Sequence, residues 1–178
     1  MTLVSVDCEW CGAEVEKKKK EYNRQLREGR DYFFCDLSCA AKYRNQKQTK
    51  EKEQQARKNP IEWSSNIAYL TGLITSDGTL TEDRPRIAFI NSEFELIEHV
   101  RDIVKAEING QTYKPQKHSR DGSVWWNYQF TSRRYYYFLQ DVGLTPDKSL
   151  TIGELDIPDK YFLDFLRGEI DGDGGFTE

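Results

Sequence analysis

A chain of 178 residues is long enough to bury a real core in one or two domains, and no apolar run approaches the ~20 residues of a membrane span, so the chain reads as soluble. The net charge of −4 excludes a uniformly basic nucleic-acid binder, but the charge is uneven: residues 1–59 hold 14 Lys and Arg against 10 Asp and Glu, and residues 60–178 hold 12 against 20. Within the acidic part, residues 111–134 carry Lys114, Lys117, Arg120, Arg133 and Arg134 against Asp121 alone, and such a local basic surface is what phosphate contacts need. The N-terminus has neither a basic start nor a long apolar stretch, so nothing reads as a secretory signal and an intracellular, reducing compartment is expected.

All four cysteines lie in the first 39 residues, as Cys8-Glu9-Trp10-Cys11 and Cys35-Asp36-Leu37-Ser38-Cys39. Pairs at this spacing can set four thiolates tetrahedrally around a structural zinc ion, which a module this small needs in place of a core. Two disulfides are the alternative in an oxidising compartment. Asp31–Phe34 reads as a strand delivering Cys35, and Cys39 falls in the first turn of a helix through Ala40, Ala41 and Tyr43. Residues 1–45 thus resemble the treble-clef zinc modules appended to phage and mobile-element nucleases. Lys17, Lys18, Lys19, Lys20, Arg24, Arg27 and Arg30 read either as contacts along DNA phosphates or as a solvated basic loop. From Lys42 to Asn59 the only apolar residues are Tyr43 and Ala56, so residues 46–60 read as a charged linker or an exposed helix.

Pro60 closes that stretch, and Trp63 to Asp77 is predicted as a helix capped by Ser64 or Ser65. Strands are predicted around Thr79–Thr81 and over Arg86–Asn91, where Ile87 and Phe89 alternate with Arg86 and Ala88. Ser92-Glu93-Phe94-Glu95 has the form of a capping box opening a helix whose Leu96, Ile97, Val100, Ile103 and Val104 make one apolar stripe. Asn109-Gly110 turns the chain into a strand Gln111–Ser119, and Asp121-Gly122 turns it into Ser123–Thr131. Val124, Trp126, Tyr128 and Phe130 are expected to face helices, with Ser123, Trp125, Asn127, Gln129 and Thr131 on the open face. Amides and hydroxyls on such a ribbon can read base edges in the major groove, and a solvated sheet face has the same pattern. Ser132 or Thr131 caps a third helix, Arg133 to Asp141, ending near Gly143, and Pro158 starts a last one.

That last helix contains Leu166-Arg167-Gly168-Glu169-Ile170-Asp171-Gly172-Asp173-Gly174, which repeats Leu70-Thr71-Gly72-Leu73-Ile74-Thr75-Ser76-Asp77-Gly78 96 residues further on. Small residues about four apart, Ala68, Gly72 and Thr75 in one copy and Gly168 and Gly172 in the other, allow two helix backbones to approach closely. Both copies end in Asp-Gly, with the glycines, Gly78 and Gly174, suited to a left-handed position after a helix. A carboxylate at the negative end of a helix dipole is unfavourable by roughly 0.3–1 kcal/mol, and a cation shared between Asp77 and Asp173 would remove that penalty.

The paired nonamers resemble the signature of the LAGLIDADG homing endonucleases. The order from residue 63, helix, two strands, helix, two strands, helix, is the half-domain of that family. The resemblance therefore implies an α+β fold: a zinc module (1–45), a linker (46–60), an αββαββα half-domain (61–145), and a linker with a second motif helix (146–178). It implies metal-dependent hydrolysis of double-stranded DNA, with Asp77 and Asp173 as catalytic magnesium ligands. The antiparallel sheet and its surroundings would hold DNA through Arg84, Arg86, Lys114, Gln116, Lys117, His118, Arg120, Trp125, Asn127, Gln129, Arg133, Arg134 and Lys148. Arg133, Arg134 and Lys148 are the candidates for stabilising the transition state, while His99 and His118 are weaker candidates. A single-chain member continues through a second sheet, whereas four residues follow Gly174, so a truncated form that does not cut both strands alone is expected, as a monomer or weak homodimer in the cytoplasm or on the nucleoid. The other reading from the same fold is a non-catalytic, maturase-like or regulatory nucleic-acid binder. Splicing as part of an intein is disfavoured, since neither end carries the nucleophiles it needs.

Overall fold

The computed structural model describes residues 2–82, 84–146 and 148–173, and the chain divides into two compact units, Met1–Gln54 and Gln55–Glu178. In the first, β1 (Leu3–Asp7) and β2 (Glu14–Lys18) pair antiparallel with Val6 opposite Val15. Their connection carries Cys8 and Cys11, and Gly12 at φ +71° supplies the left-handed step that returns its N–H to the Cys8 carbonyl at 2.8 Å. Helix α1 (Lys19–Arg27) follows directly, so the basic run is a strand end and a helix start and not a loop. The strand expected over Asp31–Phe34 reduces to one parallel bridge between Phe33 and Cys8, because β1 ends at Asp7 and Cys8 already belongs to the turn. The Asp36 carboxylate accepts the Cys39 N–H at 2.7 Å at the start of α2 (Leu37–Arg57), which carries through the charged stretch as a continuous helix. Buried side chains are few here: Cys8, Phe33 and Cys39, with Tyr22 stacked on Phe33 at 5.1 Å.

The second unit is built on α3 (Ser65–Asp77), in which every residue from Ile67 to Thr75 is buried. Ser64 caps it, accepting the Ile67 N–H at 3.1 Å while its hydroxyl bonds Glu107. The chain then enters β3 (Gly78–Leu80) without a turn. Gly78 is extended at φ −85° and not left-handed as expected; glycine is required because a Cβ there would lie 2.5 Å from the Ile74 carbonyl oxygen. Next come β4 (Arg86–Asn91) and α4 (Phe94–Ile103), which ends in a π-helical turn, Val104–Ile108. The capping box does not form: the Asn91 side chain accepts the Glu93 N–H at 2.9 Å and takes over the task. The predicted apolar stripe does become core, with Ile97, Val100, Ile103 and Val104 buried.

Asn109, left-handed at φ 52°, leads into β5 (Gln111–Thr112) and then β6 (Gln116–Arg120), which both pair with β7 (Ser123–Thr131). The single strand expected over Gln111–Ser119 is interrupted at Pro115, which has no N–H for the ladder. Asp121 and Gly122, both at positive φ, make the tight turn of the hairpin. The sheet runs β3-β4-β7-β5 with β6 also on β7, and all pairings are antiparallel. Strand β4 reaches β7 only as far as Asn91 opposite Trp126, so β6 and the start of β7 project beyond the layer that the helices cover. Val124 is therefore 41% exposed although its phase points it to the helix side.

Helix α5 (Arg133–Val142), capped by Ser132 and closed by left-handed Gly143, packs Tyr135 and Leu139 into the core. A short α6 (Lys148–Thr151) and a 3-10 turn (Asp159–Tyr161) precede α7 (Phe162–Asp173), so the last helix begins after Pro158 by that one turn. Gly174, the expected second glycine cap, lies outside the described residues. Helices α3 and α7 touch backbone to backbone. A Cβ on Gly72 would meet the Phe165 carbonyl and lie 2.8 Å from the Glu169 nitrogen, one on Gly168 would meet the Tyr69 carbonyl, and one on Gly172 would strike the Ser76 hydroxyl.

A test follows from this crossing. Gly168→Ala should lower unfolding stability by about 2 kcal/mol or more, since backbone cannot move aside as a flexible side chain does. Gly153→Ala, where nothing lies within 4 Å, should change it by less than about 0.5 kcal/mol. Urea unfolding of both variants checks the pair, and equal midpoints would refute the packing.

Candidate functional site

Four sulfurs meet in the first unit. The β1–β2 turn brings Cys8 and Cys11, and the chain around the α2 N-terminus brings Cys35 and Cys39; all four Sγ atoms lie within 4.8 Å of one another. Cys11 and Cys35 are 3.7 Å apart and Cys35 and Cys39 3.3 Å, close to the about 3.8 Å between sulfurs on a tetrahedral zinc ion. None is in a disulfide. Burial raises the Cys8 thiol, but backbone N–H groups of Cys11, Cys35 and Trp10 outweigh it and bring the pKa down to about 6. Cys39 is pushed up, first by its hydrogen bond with Cys35 and then by burial. Cys35 gains from that bond, but burial and the Cys11 and Cys8 thiols raise it overall. Crowded sulfurs that cannot all ionise by themselves suit a soft divalent cation, and the donor set fits zinc.

An acidic centre stands in the second unit where α3 and α7 end. Asp77 and Asp173 are the last residues of the two helices, and the contact of Gly172 with Ser76 sets those ends side by side. Lys148 lies across them: its Nζ donates to the Thr75 carbonyl and, at 2.8 Å, to the Ser76 carbonyl, placing an ammonium on the negative end of α3. Burial pushes Lys148 down, against the attraction of Asp77, Asp173 and Glu169. Burial raises Asp77, with Asp173 adding to it and Asn91 and Lys148 opposing. Glu169 is likewise raised by burial and by Asp173 and lowered by Lys148.

Two members of this centre were not singled out in the sequence. Glu169 stands four residues before Asp173 on one helix face, a spacing that gave it away had the second copy been read as a face and not only for its ending. Asn91 has no such cue: its Nδ2 donates to Asp77 Oδ2 at 3.2 Å and to the Gly172 carbonyl at 3.5 Å, so one strand end bridges both motif helices. Three carboxylates face one ammonium in a partly desolvated corner rich in carbonyl oxygen. That donor set fits a hard divalent cation such as magnesium.

The predicted DNA-contacting residues divide. By strand phase Gln116, His118 and Arg120 of β6, Trp125, Asn127 and Gln129 of β7, and Arg86 of β4 share the open face, with His118 stacked on Trp125 at 5.9 Å. Lys114 is exposed between β5 and β6, and Arg84 is exposed in the turn before β4. Lys117 instead points to the helix side, with its ammonium 5.6 Å from the centre of the Trp126 ring. Arg134 is turned to the backbone. It donates to the carbonyls of Asn59 at 2.6 Å and Pro60 at 3.0 Å, tying down the segment that leads into α3. Asp77 lies at the other end of that helix, roughly 20 Å long, so Arg134 is far from the acids while Lys148 stands beside them. His99 sits beside Tyr69 at 5.5 Å between ring centres, away from them.

Two outcomes are expected. The reduced chain should bind one zinc per molecule, and Cys39→Ser should abolish it, read by elemental analysis beside circular dichroism. Because burial holds the folded pKa of Asp77 above its unfolded value of 3.8, stability is greatest below about pH 4 for this group and is lost as pH rises through the folded pKa. Asp77→Asn should therefore raise the melting temperature at pH 7 and leave it unchanged near pH 3.5; equal shifts at both would contradict this.

Residues 64–143, from the α3 cap to the end of α5, match the family model of a LAGLIDADG-like domain. No curated protein matches the chain. The matched span holds Asp77 and the whole sheet, while α7 and Asp173 lie beyond it and join it through the glycine crossing. Over residues 64–143 the chain is similar to a LAGLIDADG-like domain, and its N-terminal unit places four cysteines where they could hold zinc.

Proposed function

We propose that this protein is a metal-dependent, site-specific endonuclease of the homing type. The observation that carries this is the convergence of Asp77 and Asp173 at two adjacent helix ends with Lys148 between them. Burial makes Asp77 unfavourable as an ion, and Asp173 adds to that cost. A retained destabilising charge in a desolvated corner is the mark of a working group.

In this reading the open sheet face holds duplex DNA. The β6–β7 ribbon lies in the major groove, with Gln116, Asn127 and Gln129 offering amides to base edges and Arg86 and Arg120 reaching phosphates. Asp77 and Asp173 would hold a divalent ion, whose chemistry when bound would be to activate water and to offset charge at the scissile phosphate. Asn91 fixes the Asp77 carboxylate from the sheet side. The Lys148 ammonium, oriented by two helix carbonyls, faces negative charge as it develops on the phosphate. A maturase-like binder has one observation in its favour: Lys148 already offsets the end of α3 without a metal.

Incubation with a randomised duplex library and magnesium or manganese decides between them. Strand scission should need the metal and fall by about a hundredfold or more in Asp77→Asn and in Lys148→Met, with DNA affinity kept. Charge reversal at Arg120 should weaken binding and lower its salt slope by roughly one unit, whereas Lys117→Glu should not. Sequence-selective binding with no scission under any metal would establish the binder instead.

A further inference from the structure

The first unit carries a concave surface that its cysteine centre does not use. Tyr32, Phe34 and Tyr43 pack against one another, with Tyr32 and Tyr43 stacked at 5.5 Å and Phe34 at 5.2 Å from Tyr43. The buried ring of this unit is Phe33; the three others remain half-buried and line a groove of about 720 Å³ between the chain before Cys35 and one face of α2. Arg44 and Lys47 line it from α2, one and four residues beyond Tyr43, and Arg30 also lines it. Arg30 is paired with Glu28 at 2.5 Å, and Arg44 is anchored by its Nε to the Ala40 carbonyl at 3.1 Å. Glu51 is the acid among the residues that line the groove.

From this we infer that the groove binds single-stranded nucleic acid, stacking an unpaired base on the Tyr32–Tyr43 rings with flanking phosphates on Arg44 and Lys47. A groove floor of aromatic rings with cations along its wall suits a strand whose bases are unstacked and whose backbone is charged. A duplex does not fit, because its bases are stacked inside and cannot reach rings at the bottom of a cleft. An apolar peptide would leave Arg44 and Lys47 without use. A concave aromatic surface is also more than packing needs, since rings kept only as core would be buried as Phe33 is. The site is separate from the sheet face, so its partner does not depend on the endonuclease reading.

Fluorescence anisotropy with the zinc-loaded full chain and a labelled 12-nucleotide oligothymidine tests this. Tyr43→Leu keeps apolar contact but removes the stacking face, and Lys47→Glu leaves the rings untouched. Each should weaken oligothymidine binding about tenfold. Lys47→Glu should also lower the salt slope by roughly 0.7. Zinc content and duplex binding should not change in either variant. Unchanged oligothymidine affinity in both would overturn the inference. So would better competition by a duplex of the same length, or a loss of thermal stability in Tyr43→Leu with no oligothymidine binding by the parent chain, which would make the rings mere packing.

Discussion

The backbone contact between α3 and α7 is the constraint on which the second unit depends. Gly72 and Gly168 each stand where any side chain would enter the other helix's main chain, so the two axes come as close as helices can. Depth of burial follows: α3 is enclosed by α7 on one side and by the sheet, α4 and α5 on the others, which is why Ile67 to Thr75 leave no exposed face. Its threonines then have to satisfy their hydroxyls internally, as Thr71 and Thr75 do on the carbonyls of Ile67 and Thr71 at 2.7 and 2.8 Å.

The same contact creates the electrostatics of the acidic centre. Two helices packed side by side along their length, from Gly168 against Tyr69 to Gly172 against Ser76, bring two negative dipole ends and two terminal carboxylates into one corner. Lys148 answers part of this from α6, and Asn91 answers part from β4. Outward of the crossing, α7 leaves Leu163, Leu166 and Ile170 exposed among the described residues, an apolar row on the side turned away from α3.

The first unit solves its stability differently. With Cys8, Phe33 and Cys39 as its buried side chains and a hairpin of five-residue strands, it has too little apolar area to offset the entropy of ordering its chain. Four sulfurs gathered from a turn and a helix start provide the missing cross-link once a metal is bound. Tyr32, Phe34 and Tyr43 stay half-buried outside that core, and they line the groove beside α2.

Much of this was legible in the chain. The apolar stripe from Ile97 to Val104, the alternation of β7 and the Asp121-Gly122 turn are local patterns, and local patterns survive into structure because backbone geometry sets their period. Cysteine spacing likewise pointed to four sulfurs gathered in one place, which the structure brings within 4.8 Å of one another. Tertiary structure decided the rest. Gly78 serves close approach and not a left-handed turn; Asn91 displaced the capping box; Pro115 divided a strand; Lys117 and Arg134 were turned to Trp126 and to the Asn59 and Pro60 carbonyls; and Glu169 and Lys148 joined the acids. Each of these depends on which residue distant in sequence lies within a few ångströms, and a one-dimensional pattern records the period of a side chain but not the partner it will meet.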